Sequence, residues 1–428
     1  MITVVVIPLG IPECNYSIDD FRDKGFHNFI KPAFGKGCIA DIPGFVESRL
    51  LSTNTRRTSI EQEMGSDESE DLVLIILDGL GYDLIMNALK SQWMKHFLSV
   101  MERSSCSPIT SVFPSTTSTA LFTVYMDMQP CEHEVIGYTQ YIRELGCVCN
   151  MLSMAPVGNQ SHDLIEAGWM PSGLKGKKPF PARMIENGVK SFIHLPGNIV
   201  NSGMSRITGA GVAIDPYFSV SQMFTAIARN VLSARGKTFH MAYVPSVDTL
   251  SHKVGSKSLE VFAELETLFY NIDTFIGQLK SRNATIIISA DHGHVNVGNS
   301  NLMDISRDYE LYNMLRAPIV GDARAAFLRV KCNHLEEAES HLLEKYGERY
   351  VILRSTKMMK SGYFGNKAVN RDNNDRFGDL IMVPKGNNGV LDSNLTLLDR
   401  NMNLENMVGM HGGLLAEEMI VPLIISQP

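Results

Sequence analysis

The sequence predicts an α/β fold: a mixed, mostly parallel central sheet with helices on both faces, and a small α+β insertion late in the chain. Three observations carry this reading. Uncharged, largely apolar runs at 72–77, 238–244 and 285–288 have the continuous character of strands covered on both sides. Long helical stretches lie between them, at about 219–234 and 259–280, of the kind that carries a chain back over a sheet. The strands run out into carboxylates, at Asp78, Asp248 and Asp291, and in an open α/β sheet ligands gather beyond the carboxyl ends of the strands.

The bulk properties narrow the class. A chain of 428 residues can bury a large core, as one α/β domain with insertions or as two to three units. Hydrophobic content of 44% and charged content of 20% are those of an ordinary globular protein. A net charge of −7 leaves no global basic field, which argues against a nucleic-acid or anionic-membrane partner. The 7 cysteines are scattered and include no Cys-x-x-Cys pair, so they read as buried thiols in a reducing, cytoplasmic compartment. The apolar start lacks basic residues and meets Pro8 and Pro12 early, which makes it a strand and not a signal peptide. No run approaches the length of a membrane span. Oligomeric state is left open.

In chain order, residues 1–70 are a mixed lead-in with a helix ending near Leu51 and an acidic connector at 66–71. The strand at 72–77 meets Asp78-Gly79-Leu80-Gly81, where glycines permit a tight turn, and a helix over about 83–98 follows. Next comes a hydroxyl-rich stretch, 110–119, around Pro114, leading into a helix from about Thr117. A hydroxyl there is ordinarily an N-cap. The same position suits a nucleophile, because free N–H groups at a helix start stabilise an alkoxide and a bound phosphoryl group.

Residues 129–215 read as loop-rich. They hold a basic patch, Lys175, Lys177, Lys178 and Arg183, which is either a solvated loop or a reach toward an anionic substrate. The strand at 238–244 runs into Asp248 and His252, whose spacing of four places both on one side of a helical turn. The strand at 285–288 releases Asp291 and His292. Taken singly, such residues are turn caps and loop histidines. An inserted cap over 316–390 is expected from strands at 325–330, 350–353 and 380–383 and a helix at 335–346. The core then comprises 1–315 and 391–428, closing with His411 between loop breakers and a final strand. Together Asp78, Asp248, His252, Asp291, His292 and His411 make three Asp and three His, a set that suits two divalent ions, zinc before manganese or iron.

These motifs, Leu-Asp78-Gly-Leu-Gly, Phe-Pro-Ser-Thr-Thr117-Ser-Thr, Pro-Ser-Val-Asp248-Thr-Leu-Ser-His252, Ala-Asp291-His292-Gly and Met-His411-Gly-Gly, resemble those of the alkaline phosphatase superfamily. The resemblance is nearest to the type I phosphodiesterase/nucleotide pyrophosphatase family and covers about 70–300 and 400–428. It implies that Asp248, His252 and His411 hold one zinc. It implies that Asp78, Asp291, His292 and Thr117 hold the second, and that Thr117 is the nucleophile that becomes a phospho-threonine. Two positions depart from the family pattern. Asp127 stands where a glycine follows the nucleophile by ten residues, which leaves Thr116 as an alternative nucleophile. Ala120 stands where an Asn would hold a phosphoryl oxygen. The expected activity is hydrolysis of phosphodiester or pyrophosphate bonds in a small-molecule phosphate ester, a nucleotide among the candidates. A phosphomonoesterase or phosphate-transferring mutase, with Lys175, Lys177 or Arg183 as the extra cation, is the alternative. A non-catalytic metal-binding protein that recognises a phosphorylated ligand is the second.

Overall fold

The computed structural model describes residues 17–51, 68–159, 164–367, 375–397 and 406–428. The strand expected at the N-terminus and the first two residues of the acidic connector, 66 and 67, lie outside the described residues.

Seven strands form the central sheet: β1 Asp71–Leu77, β2 Ser105–Thr110, β3 Lys190–Pro196, β4 Ala213–Tyr217, β5 Thr238–Val244, β6 Ala284–Ser289 and β7 Ile420–Ser426. Their order is β2-β7-β6-β1-β5-β3-β4. From β6 to β4 every neighbouring pair is parallel, and β7 runs against both β6 and β2. The expected mixed, mostly parallel sheet is therefore present. β1, β5 and β6 are buried at every position, as their unbroken apolar runs require.

Two groups of helices flank the sheet. α1 (Thr117–Met126) packs with Ile42–Leu51, Phe180–Glu186 and Gly203–Thr208. α4 (Leu259–Gln278) packs with α2 (Val220–Ser233), α3 (Ser246–Val254) and Lys95–Glu102. Ser219 and Ser258 cap α2 and α4 by accepting from Gln222 N and Val261 N, which fixes where these helices begin. Among the described residues no helix is long and apolar enough to cross a membrane.

Two regions differ from the sequence reading. The single helix expected over 83–98 is two, Tyr82–Ala88 and Lys95–Glu102, separated by turns in which Ser91 N bonds Ala88 O and Met94 N bonds Ser91 O. The break lets Ala88, Met94 and Phe97 all be buried. The loop-rich region supplies β3 and β4 and a three-stranded antiparallel sheet, Thr139–Ile142, Cys147–Asn150 and Ala155–Pro156. β3 contains His194 and Pro196, and β4 contains Asp215 and Pro216. These polar and proline residues hid the strands, yet proline is tolerated in β4 because that strand lies at the sheet edge.

Late in the chain a four-stranded antiparallel sheet runs Val320–Asp322, Ala325–Leu328, Leu380–Pro384, Tyr350–Arg354, with the helix Leu335–Tyr346. A parallel pair between Leu302–Asp304 and Gly389–Leu391 joins it to earlier chain. Arg324 is fully buried and grips Glu418, just before β7, with Nε at 3.0 Å and Nη2 at 2.8 Å from the two carboxylate oxygens.

Candidate active site

Register brings the site together. Leu77 in β1 is level with Val244 in β5, and Ser289 in β6 is level with Ile76, so three strands end side by side. Asp78 N then donates to Val244 O at 2.9 Å, and Asp248 N to Asp78 O at 3.0 Å. The turn after Asp78 needs Gly79: its φ is +75°, and a Cβ would lie 2.5 Å from His294 Cε1. α3 presents Asp248 and His252 one turn apart. Gly409–Met410 pairs with Val295–Asn296 and so returns His411 to the end of the β6 loop. α1 begins at Thr117, with Thr116 as its N-cap.

The donor atoms fall into two overlapping groups. Ligand atoms of Asp78, Asp291 and His292 lie within 4.8 Å of one another, and so do those of Asp248, His292, His294 and His411. His292 Nε2 is 3.3 Å from Asp78 Oδ1, 3.5 Å from Asp291 Oδ2 and 3.1 Å from Thr117 Oγ1. Asp248 Oδ1 is 3.1 Å from His252 Nε2, 3.0 Å from His294 Nε2 and 3.8 Å from His411 Nε2. The His292 and His411 rings stack at 3.7 Å.

The four imidazoles share one hydrogen-bonding pattern. Each sets Nδ1 against a backbone carbonyl: His252 at Gly409 (2.7 Å), His292 at Gly293 (3.1 Å), His294 at Gly79 (3.4 Å) and His411 at Ser115 (3.2 Å). Nδ1 therefore carries the proton, and Nε2 is turned with its lone pair toward the carboxylates, the arrangement that metal-binding imidazoles adopt. Asp78 Oδ1, Asp248 Oδ1, Asp291 Oδ2 and His294 Nε2 are buried without an aligned hydrogen bond. Three carboxylates gathered in the interior would cost several kcal/mol each without compensating charge. Lone pairs that converge without hydrogens between them fit divalent cations.

The electrostatics agree with a site built for added positive charge. Burial, with the Asp291 and Asp248 charges, holds the Asp78 carboxyl well above its ordinary range, against the Tyr243 hydroxyl that donates to its Oδ2. Burial would also raise Asp248, but His252 and His294 outweigh it and hold that group well below. Burial, with His292 and His252 nearby, pushes His411 well below the usual imidazole value.

All six expected Asp and His residues and Thr117 are brought to this place. Thr116 is adjacent, but its hydroxyl is engaged elsewhere: Oγ1 donates to Asp322 Oδ1 at 2.9 Å, in the four-stranded sheet. The basic patch does not reach the site. Arg183 bonds Asp127 at 2.7 Å, at the far end of α1 from Thr117, and Lys175 and Lys177 are exposed. α1 has 10 residues, so Asp127 lies roughly 15 Å along the axis from Thr117. Three residues of the site were not singled out from the sequence. His294 follows His292 by two; the Asp-His-Gly-His run carried its signal. Tyr243 and Asp322 carried none, because a tyrosine inside a strand and an Asp in a predicted insertion look structural.

Two cavities meet here. One, of about 460 Å³, is lined by Thr117, Tyr138, Asn150, Asn198, Ser202 and Tyr243 among others. The other, of about 150 Å³, is lined by His252, His411, Asp322 and apolar residues that include Val320 and Ala326 of the four-stranded sheet, and Tyr138 lines both.

The type I phosphodiesterase/nucleotide pyrophosphatase family matches residues 72–414. The chain belongs to this family. Membership makes it a phosphoester hydrolase of the alkaline phosphatase superfamily, with metal-dependent chemistry. Among solved structures, murine ectonucleotide pyrophosphatase/phosphodiesterase 5 is similar with TM-score 0.61 and 16% identity, over 83% of this chain and 88% of that one. An inactive variant of that protein in complex with AMP has TM-score 0.61 and 17% identity, over 84% and 88%. Phosphonoacetate hydrolase from Sinorhizobium meliloti, in complex with phosphonoformate, has TM-score 0.62 and 14% identity, over 83% and 89%. At these identities the likeness shows the family's fold. No curated protein matches the chain.

Proposed function

We propose that the protein hydrolyses phosphodiesters through a covalent phospho-threonine at Thr117. The observation that carries this reading is the place of Thr117 Oγ1, 3.1 Å from His292 Nε2, at the buried start of α1 and at the edge of the carboxylate cluster. The first bond along α1 is Ala120 N to Thr116 O, so the preceding N–H groups face outward and favour a phosphoryl group, with the helix dipole adding to the effect.

Two divalent cations, zinc before manganese or iron, would be held by Asp78, Thr117, Asp291 and His292 and by Asp248, His252, His294 and His411; bound there they would lower the pKa of the Thr117 hydroxyl and offset charge on the departing oxygen. The chain's own groups do the rest. Thr117 gives its proton to water and its oxygen bonds to phosphorus, while the bond from phosphorus to the departing alcohol breaks. The electron pair goes with the departing oxygen, which takes a proton from water. A second water then loses a proton and bonds to phosphorus, the bond from phosphorus to Thr117 Oγ1 breaks, and Oγ1 takes a proton from water, which restores the threonine and leaves the phosphate monoester of the retained substituent.

A diester is favoured over a monoester because a monoester brings a further negative charge. None of the described residues lining either cavity is Lys or Arg. The larger cavity, with its amides and hydroxyls, suits a polar retained group, and the AMP complex of a similar structure supports a nucleotide in that role. Residues 316–390 act as a cap, since Asp322 holds Thr116 beside the nucleophile. The described cysteines are free thiols, in keeping with a cytoplasmic setting.

The test is steady-state hydrolysis of bis-p-nitrophenyl phosphate beside p-nitrophenyl phosphate on zinc-loaded protein. Diester cleavage should be the faster, vanish in Thr117→Ala with zinc retained, and survive in Thr116→Ala. Faster monoester cleavage, or loss of activity in Thr116→Ala alone, would overturn the assignment.

A further inference from the structure

The two cavities differ in chemistry as well as size, and their places relative to Thr117 give each a role. In-line displacement puts the departing oxygen opposite the attacking one. Thr117 Oγ1 sits at the Asp78, Asp291 and His292 end and lines the larger cavity. His411, stacked on His292, and His252, against Asp248, stand at the other end and line the smaller cavity. A group leaving away from Thr117 therefore leaves past His252 and His411, into the cavity under the inserted sheet.

We propose that this smaller cavity binds the departing alcohol and selects a compact, uncharged, apolar one, such as a phenol. The inference rests on the phosphodiesterase reading above. Val320, Ala326, Val390, Leu395 and Met410 supply the apolar wall. Its volume, about 150 Å³, is that of a cavity that takes up benzene in other proteins, so it holds roughly six or seven heavy atoms. Its two acids are committed. Asp322 accepts from Thr116 Oγ1 and Tyr138 N, and Asp392 from Tyr312 Oη and Asn394 N. Beyond His252 and His411, no described residue of the lining is basic, so the phosphate that departs when a pyrophosphate is cleaved would find no basic side chain among the described residues deeper in the cavity. The site thus separates a diester with an aryl leaving group from a pyrophosphate, a distinction the family name leaves open.

The experiment uses phosphodiesters that share one retained group, thymidine 5′-phosphate, and differ in the departing alcohol. These are methyl, phenyl and 4-biphenylyl esters, the two phenols being close in acidity, with thymidine diphosphate esters as the anionic arm. For the zinc-loaded protein, kcat/KM for phenyl should exceed that for 4-biphenylyl by at least about tenfold, within the 10–200-fold range typical of an apolar pocket. Ala326→Leu should lower the phenyl-to-methyl ratio, and Leu395→Ala should raise the 4-biphenylyl-to-phenyl ratio, each by about tenfold. The second variant keeps the test decisive if the first fails to fold. Cleavage of every ester through Thr117, with phenyl and 4-biphenylyl equal and both ratios unmoved, would overturn the cavity's role and leave the phosphodiesterase standing. Rapid cleavage of the pyrophosphate would overturn it as well. Absence of Thr117-dependent cleavage of any ester would instead remove the reading on which the inference rests.

Discussion

If Asp78 is there to hold a cation, replacing it by Asn should move stability in opposite directions with and without metal. The ligand atoms of Asp78, Asp291 and His292 lie within 4.8 Å of one another. Two carboxylates at that separation repel by about 3.5 kcal/mol at an effective dielectric of about 20. Asn keeps the shape and an acceptor for the Tyr243 hydroxyl and removes the charge, as protonation of Asp78 would do at a cost. With an unfolding entropy of about 2.1 cal/mol/K per residue, the whole chain corresponds to about 0.9 kcal/mol/K, so full relief raises Tm by about 4 °C. Zinc at a hundredfold excess over Kd adds about 2.7 kcal/mol to the native protein, or about 3 °C. A hundredfold loss of affinity in the variant would cut that gain to about 0.5 °C. The assay is differential scanning calorimetry at pH 8 on chelator-stripped protein, before and after zinc. Asp78→Asn should melt above the native protein when stripped and below its level of gain when zinc is added. A stripped variant that melts lower, with zinc stabilising it as strongly as the native chain, would refute the reasoning. Asp78 would then be a structural partner of Tyr243.

The remaining predictions concern neighbouring parts of the site. His294→Ala should weaken zinc binding about tenfold or more, measured by competition with a chromophoric chelator, because its Nε2 lies 3.0 Å from Asp248 Oδ1 and is otherwise unpartnered. Undiminished affinity would leave His294 as a packing residue against Gly79. Arg324→Met should destabilise by about 3–5 kcal/mol in urea unfolding, since it strands the buried Glu418 carboxylate. Adding Glu418→Leu should recover much of that loss, and failure to recover would mean that the pair's backbone bonds at Gly386 and Gly413 matter more than its charges.

The legible part of the site was the part that follows strands. Asp78, Asp248 and Asp291 each stand just beyond an apolar run, and the sheet register that sets them side by side is a consequence of those runs being strands of similar length. His252 was legible from its spacing on a helix. Contacts made across the chain were not. Asp322 reaches Thr116 over 206 residues, and Tyr243 reaches Asp78 over 165, with no local pattern to mark either. β3 and β4 were missed for a related reason: their polar residues are tolerated by place in the sheet, β4 at its edge, and place is not written in local periodicity. The basic patch misled in the opposite direction. The guanidinium of Arg183 is engaged by Asp127, at the far end of α1 from Thr117.

That ion pair bears on how this chain departs from its family and where the missing phosphoryl donor should be sought. Asp127 adopts φ 53°, ψ 50°, the left-handed conformation that a glycine takes readily and that costs other residues about 1 kcal/mol. The bond to Arg183 offsets that cost, so α1 ends at its glycine position without the glycine. Ala120 has no such substitute: it is fully buried in the main core and carries no hydrogen-bonding group. A donor must then come from another element; Asn150 and Asn198 both stand on the wall of the Thr117 cavity, and Asn150, at the end of Cys147–Asn150, is the one whose amide is oriented by the backbone. Its Oδ1 accepts from Leu152 N at 2.9 Å and Ser153 N at 3.1 Å, so Nδ2 is the end that can donate to a phosphoryl oxygen. Asn150→Asp keeps both turn bonds and replaces the donor by a charge of the substrate's own sign. It should lower kcat/KM for the diester by about 10²-fold or more, with little change in Tm. Asn150→Ala would lose the turn as well and so could not separate the two roles. If Asn150→Asp hydrolyses the diester at the native rate, Asn150 serves only to shape the turn, and the phosphoryl oxygens rest on the helix start and the cations alone.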